Sequence, residues 1–143
     1  MGEVLNYKDL PIVQRAFELV REVDIFVQLL PRTPQGRNVA DQLFRAAASI
    51  GANVAEGRGR DTGREYVRYL RIARASANET DYWLHIAHDC QLVVDEDYDR
   101  MLKLTDECLR MLSAMIGKLK QSHETPLRET AEGYVTDNED SKL

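Results

Sequence analysis

Apolar residues recur every three or four positions in four successive segments, which is the spacing of one face of an α-helix. The first segment begins at Pro11, because proline suits the first position of a helix, and Asp9 or Leu10 is expected at its cap. Pro31 and Pro34 are expected to end it. Its predicted apolar face comprises Val13, Ala16, Val20, Val23, Val27 and Leu30, with Leu19 and Phe26 to one side.

The second segment is rich in small residues between positions 46 and 52, which predicts close approach of a neighbouring backbone. Thr33 and Pro34 are the expected cap and first residue. Gly57 is expected to end the helix in the left-handed conformation of a C-terminal cap. The predicted inward face comprises Val39, Ala40, Leu43, Ala47, Ile50 and Val54.

The third segment begins with a capping box, in which Thr62 caps the helix and Glu65 reaches back, and the helix extends from about Gly63 to Cys90. Its predicted inward face comprises Tyr66, Tyr69, Leu70, Ala73, Ala77, Thr80, Leu84 and Ala87. A second apolar group outside this face comprises Ile72, Tyr82, Trp83 and Ile86. This group predicts a subunit interface, although for Trp83 an edge of the core is the alternative.

The fourth segment begins at Asp95 or Glu96, where either acid can cap the helix, and its periodicity fades after Lys120. Its apolar set comprises Tyr98, Met101, Thr105, Cys108, Leu109, Leu112, Ile116 and Leu119. Four such segments with short connections predict an all-α, antiparallel up-down-up-down four-helix bundle over residues 1–121. Residues 122–143 are polar, acidic and without periodicity, so they are expected to be a mostly disordered tail.

The composition fits one soluble domain, since 43% of the 143 residues are hydrophobic and 30% are charged. No apolar run is long enough to cross a bilayer, and the N-terminus lacks a signal-peptide core. We therefore expect a cytoplasmic protein without a membrane partner. Cys90 and Cys108 lack a CxxC pattern and are expected to be buried thiols.

Positive charge is concentrated in the middle of the chain. Residues 32–74 contain nine arginines, no lysine and four acidic residues, a net charge of +5 within a chain of net charge −5. Arginines contact phosphates bidentately, and the start of a helix adds amide donors and a positive dipole. The candidate anion-binding or nucleic-acid-binding residues are Arg58, Arg60, Arg64, Arg68 and Arg71.

These arginines also have a structural interpretation. They could pair with Glu56, Asp61 and Glu65, or with acids of a neighbouring subunit, because charges on helices are usually solvated or paired. Glu56, Gly57 and Gly59 are expected to anchor the loop between the second and third helices rather than to act in catalysis.

Other candidate chemistry is weak. The glycine–arginine loop lacks the GK[ST] ending of a phosphate-binding loop, and no strand precedes it. His85, His88 and Asp89 lie within one turn and could contact one metal ion, but the paired Glu-x-x-His motifs of di-iron bundles are absent. Ser49 and Ser76 have no histidine at a suitable spacing and are expected to pack. We therefore expect no metal, no cofactor and no small-molecule substrate.

A long motif extends from residue 43 to residue 80, and it reads LFRAAASIGANVAEGRGRDTGREYVRYLRIARASANET. It resembles the signature of the four helix bundle protein family, also called the rRNA intervening-sequence protein family, and the similarity covers about residues 5–120. The resemblance implies a ring-like homopentamer of four-helix bundles with no established enzyme activity. Accessory proteins of diversity-generating retroelements are distantly similar. Those are basic pentamers that associate with a reverse transcriptase and nucleic acid, whereas this chain is acidic overall.

The sequence thus favours a non-enzymatic, oligomeric scaffold that binds RNA, DNA or a nucleic-acid-handling protein through its arginines. The alternative is a purely structural or protein-interaction homo-oligomer. A metal-dependent enzyme is a third hypothesis, which predicts stoichiometric bound metal.

Overall fold

The computed structural model describes residues 6–124, which form a short 3-10 helix and four α-helices. After the 3-10 helix (Tyr7–Asp9) come α1 (Pro11–Gln28), α2 (Pro34–Arg58), α3 (Gly63–Asp89) and α4 (Asp95–Glu124). No strand occurs within the described residues. Each helix packs against the next, and α4 packs back against α1. With short connections these contacts form the predicted antiparallel four-helix bundle.

The end of the chain was predicted to be a tail from residue 122. The last helix includes the first three of these positions, and the rest of the predicted tail lies outside the described residues. Among helices α1 to α4, as far as they are described, none is long and apolar enough to span a membrane.

The first three helices begin at the predicted caps. Leu10 caps α1 without a side-chain hydrogen bond. Thr33 Oγ1 accepts a hydrogen bond from the Gly36 N–H at 3.1 Å, and Thr62 Oγ1 accepts one from the Glu65 N–H at 3.2 Å. Each threonine therefore satisfies one of the backbone donors left unpaired at a helix start.

The cap predicted for α4 is wrong by one residue. The Val94 carbonyl accepts the first intrahelical hydrogen bond, from the Tyr98 N–H at 3.2 Å. Asp95 and Glu96 instead lie in the first turn, together with Asp97. Negative charge is still favourable there because the helix dipole is positive at its N-terminus.

The predicted end of α2 at Gly57 is also wrong. The helix continues through Arg58, and Gly59 is its C-cap with a right-handed φ of −81°. Gly57 lies inside the helix and is buried. Its small size is needed for packing rather than for a left-handed turn, as its neighbours show below.

The core contains the predicted apolar faces with small rotations. Leu19 and Phe26, expected at the side of α1, are fully buried, whereas Val20 and Val27 are only partly buried. The larger side chains occupy the centre because they bury more apolar area. Cys108 is buried as predicted, but Cys90 is exposed, since it follows the last turn of α3.

Two close contacts fix how α1, α2 and α3 align. The Ser49 and Ser76 hydroxyls, one on α2 and one on α3, are 2.5 Å apart and hydrogen-bonded. We call them the serine pair. A Cβ placed on Gly51 would lie 3.4 Å from the Ala16 Cβ, so α1 and α2 approach closely at this point. The small residues of α2 therefore permit the close packing that the sequence predicted.

Candidate anion-binding surface

The loop between α2 and α3 is held by an ion pair and a tyrosine. Arg60 Nη2 donates to Glu56 Oε1 at 2.7 Å and to the Tyr69 hydroxyl at 2.8 Å. The Arg60 guanidinium also lies 5.1 Å from the centre of the Tyr69 ring. The charge interaction with Tyr69 is the largest cause of a raised pKa of Arg60, and Glu56 adds to it. Arg60 thus forms the ion pair with Glu56 that the structural interpretation of this residue expected.

Gly57 allows this tyrosine to approach. A Cβ at position 57 would lie 2.5 Å from the Tyr69 Cβ, which is closer than two carbon atoms can come without displacement. The helix α2 therefore needs glycine at this position so that Tyr69 can reach Arg60. Gly59 has no comparable requirement, since the nearest atom to a Cβ there is the Glu56 carbonyl oxygen at 3.6 Å.

Arg58 also interacts within the chain. It is half-buried, and its positive charge lies close enough to Tyr66 to lower the pKa of that phenol. Burial is the stronger effect and raises the pKa of Tyr66 to about 12. The loop thus uses both Arg58 and Arg60 for contacts within the chain.

Arg64, Arg68 and Arg71 differ from the loop arginines because all three are exposed. We call them the arginine line, since their spacing of four and three residues places them along one face of α3. Among the side chains that the structure describes, residues 6–121, no ion pair involves any of them. The Arg68 guanidinium lies 5.9 Å from the Tyr69 ring centre. Their charges therefore point outward and lack an acidic partner in the described chain.

Tyr69 was assigned to the inward face of α3, but its ring is only partly buried and its hydroxyl meets Arg60. Sequence analysis therefore missed its role in the loop. The signal in the sequence is Gly57, a glycine inside a helical pattern, together with an aromatic residue, Tyr69, in the first turns of the next helix.

The histidines do not form a metal centre in the described part of the chain. His88 Nε2 lies 2.8 Å from Asp95 Oδ1, and the His88 ring stacks on Tyr98 with centroids 4.1 Å apart. His85 and Asp89 are exposed on the surface. From residue 6 to residue 124, no three His, Cys, Asp or Glu side chains come together to hold a metal ion.

The candidate interface residues lie outside the centre of the core. Ile72 is 39% exposed and Tyr82 is 54% exposed. Trp83 and Ile86 are partly buried and pack against the edge of the core. The Tyr82 and Trp83 rings meet edge to face with centroids 5.1 Å apart. Trp83 thus lies at an edge of the core of this chain, while Ile72 and Tyr82 remain accessible.

These features define an all-helical, four-helix-bundle protein with three outward-facing arginines at the start of its third helix. The family model for the 23S rRNA-intervening sequence protein matches residues 8–114, and the chain belongs to that family. A crystal structure titled as a protein with unknown function from the S23 ribosomal protein family of Bacteroides thetaiotaomicron has a similar fold. Its TM-score is 0.69 at 24% identity, covering 73% of this chain and 97% of that chain. No curated protein matches the chain.

Proposed function

We propose that the protein is a non-enzymatic, self-associating scaffold that binds nucleic acid through the arginine line. The observation that carries this proposal is that Arg64, Arg68 and Arg71 have no acidic partner among the described side chains of residues 6–121. Three arginines that share one face and lack an acidic partner have their guanidinium donors available to an external anion, and phosphate suits the bidentate geometry of arginine. The proposal needs no cofactor.

The spacing of the arginine line fits a phosphate backbone. Seven residues of α-helix separate Arg64 from Arg71, which is about 10 Å along the helix axis. Duplex DNA presents one charge per about 3.4 Å along each strand, so such a span faces several phosphates. Tyr66 is buried and Tyr69 is bound to Arg60, so neither offers a stacking surface for bases. We therefore expect binding that depends on charge rather than on base sequence.

Exposed apolar side chains on α3 support the proposed self-association. Ile72 and Tyr82 expose apolar surface that a second subunit would cover. The resemblance of the motif to the family implies a ring-like homopentamer, and we propose this assembly in the cytoplasm. Five copies of the arginine line would strengthen weak phosphate contacts through avidity.

The test is a binding measurement with labelled single-stranded RNA and duplex DNA across a salt series. We expect wild-type binding to weaken steeply with salt, and Arg64→Glu/Arg68→Glu to lose most of it. Removing two phosphate contacts should make the logarithmic salt slope shallower by about 2. Lys103→Glu/Lys118→Glu is the matched control, because it changes net charge equally on exposed positions of α4. Equal losses in both variants would contradict a localised site.

A structural homo-oligomer without nucleic-acid binding is the second candidate, and the exposed apolar residues of α3 favour it. In that case wild-type protein would not bind RNA or DNA even at low salt. Arg64→Glu/Arg68→Glu would instead dissociate the oligomer, because the arginines would serve subunit contacts. Native mass spectrometry of both proteins separates the two candidates.

A further inference from the structure

Helix α3 carries a second packing line on its outer side. The line has alternating spacings of three and four residues, which is the seam spacing of a coiled coil. It comprises Ile72, Ala75, Glu79, Tyr82, Ile86 and Asp89. All are exposed except Ile86, which is partly buried. We call this set the outer line of α3, and it combines large apolar side chains with two acids.

A second apolar surface lies along the groove between α1 and α2. Phe17 and Phe44, one from each helix, are 41% and 40% exposed. Gln28 of α1 and Arg37 of α2 line one pocket at the end of this groove. These two residues therefore mark the side of each helix that faces the groove. Phe17 and Arg21 are eleven and seven residues before Gln28, and Phe44 is seven after Arg37, so they share those sides. The α1–α2 groove thus combines aromatic side chains with two arginines.

The apolar parts of the two surfaces lie at the same height along the bundle. Phe44 is five residues before one member of the serine pair, and Tyr82 is six residues after the other. Every residue of an α-helix rises by about 1.5 Å, and α2 and α3 run in opposite directions. Phe44 and Tyr82 therefore differ in height by one residue, or about 1.5 Å. Ala16 on α1 lies close to Gly51, which is two residues after Ser49 on α2. Phe17, the residue after Ala16, is therefore at about the same height as Ala75 on α3. An aromatic side chain of the groove is therefore level with a small residue of the outer line.

The charges of the two surfaces are complementary at matching heights. Arg21 is level with Glu79, and Arg37 is within one residue of the height of Asp89. Among the described residues, none of these four side chains takes part in an ion pair. A copy of this chain therefore presents acids on one side and arginines at the same levels on another.

We propose that the outer line of α3 packs into the α1–α2 groove of a second copy of this chain. The contact is head-to-tail, because it joins two different surfaces that every copy carries. Equal heights mean that successive copies are related by rotation without a shift along the bundle, which closes a ring rather than extending a filament. This inference rests on the self-association proposed above and specifies the two surfaces that would form the contact. Arg64 and Arg68 lie toward the start of α3, before the outer line begins, and stay open to phosphate. Arg71, the third member of the arginine line, adjoins Ile72 and lies at the edge of the proposed contact.

Complementation of two interface variants tests this contact. Tyr82→Asp disables the outer line and leaves the groove intact, whereas Phe44→Asp does the reverse. We expect each variant alone to be monomeric in native mass spectrometry and light scattering, with wild-type circular dichroism. An equimolar mixture should form a 1:1 heterodimer and nothing larger, because only one functional contact remains. Val94→Asp is the matched control, since Val94 is 63% exposed but lies on neither surface.

A charge swap keeps the proposal testable if either aspartate variant unfolds. Arg21→Glu and Glu79→Arg should each weaken the assembly, and the two together in one chain should restore it. A wild-type oligomer that Phe44→Asp and Arg21→Glu leave intact would overturn this contact but not self-association. A wild-type monomer at high micromolar concentration would overturn both.

Discussion

Gly57 and Gly59 lie two residues apart at the end of α2, yet alanine at these positions should have opposite effects. At position 57 the new Cβ would collide with the Tyr69 Cβ. This atom is attached directly to the backbone of α3, so a change of side-chain rotamer cannot move it away. We expect Gly57→Ala to lower the free energy of unfolding by about 1–3 kcal/mol. At position 59 the new Cβ would make only ordinary van der Waals contacts, at a right-handed φ of −81°, so Gly59→Ala should be neutral or stabilise by up to about 1 kcal/mol.

Urea denaturation followed by circular dichroism measures both glycine variants. Equal stability of the two variants would contradict the close approach of α2 and α3 at Gly57.

The two cysteines should differ sharply in reactivity. Burial raises the pKa of the Cys108 thiol to about 12, from an ordinary value of 9.0, because it disfavours the charged thiolate. Cys90 is exposed. At pH 8 we expect one thiol per folded chain to react with a thiol reagent, and a second only after denaturation. Cys90→Ser should remove the fast reaction, and a fast thiol in that variant would contradict the burial of Cys108.

The same shift has a defined consequence for stability. Above pH 9 the unfolded chain releases the Cys108 proton while the folded chain retains it, so the unfolded state binds fewer protons. The free energy of unfolding should therefore fall as pH rises from 9 toward 12. Tyr66, with a pKa of about 12 instead of 10.0, acts in the same direction over the upper part of this range.

At the level of the helices, the end of α3 contains a residue that glycine would suit better. Gln91 has a φ of 57°, and its N–H donates to the His88 carbonyl at 3.0 Å. The Leu92 N–H donates to the Ala87 carbonyl at 2.8 Å, which completes a Schellman motif. A left-handed conformation costs a non-glycine residue about 1–2 kcal/mol. We expect Gln91→Gly to raise the free energy of unfolding by about 1 kcal/mol, measured by urea denaturation.

Cys90→Gly is the control for this prediction. Its φ of −82° is accessible to any residue, so glycine there gains nothing and adds flexibility to the unfolded chain. A gain in stability at position 90 equal to that at position 91 would show that the backbone conformation is not the cause.

The positions of the four helices could be predicted because hydrophobic periodicity is a local property of the sequence. The burial of residues at the sides of each apolar face could not, since it depends on where the neighbouring helices lie. Phe44 falls outside the predicted apolar face of α2, and its exposure in a groove with Phe17 became visible only in the folded bundle. Tyr69 shows the converse, because a residue assigned to the core is drawn to the loop by Arg60.

For the whole molecule, the sequence predicted a basic surface but not how its arginines are divided. Periodicity placed Arg64, Arg68 and Arg71 together on α3, and this is how the structure arranges them. Whether Arg58 and Arg60 join them depends on loop contacts with Tyr66 and Tyr69, which no spacing rule gives. The equal heights of the outer line of α3 and the α1–α2 groove likewise depend on contacts between helices, which the sequence pattern does not reveal.

The acidic C-terminal segment should oppose nucleic-acid binding through its charge. Residues 125–143 contain five acids and two bases, so their removal changes the net charge of the chain from −5 to −2. A polyanion approaches a less negative protein more readily, and the effect is strongest at low salt, where charges are least screened. We expect deletion of residues 125–143 to raise the affinity for RNA at low ionic strength and to have little effect at high ionic strength.

A second variant separates charge from chain length. Replacing the five acids by their amides keeps all nineteen residues and should raise the affinity nearly as much as the deletion. If only the deletion has an effect, the segment would act by occupying space near the arginine line rather than by repulsion. If neither variant changes binding while Arg64→Glu/Arg68→Glu abolishes it, the local charge of α3 alone would control the interaction, whatever the charge of the whole chain.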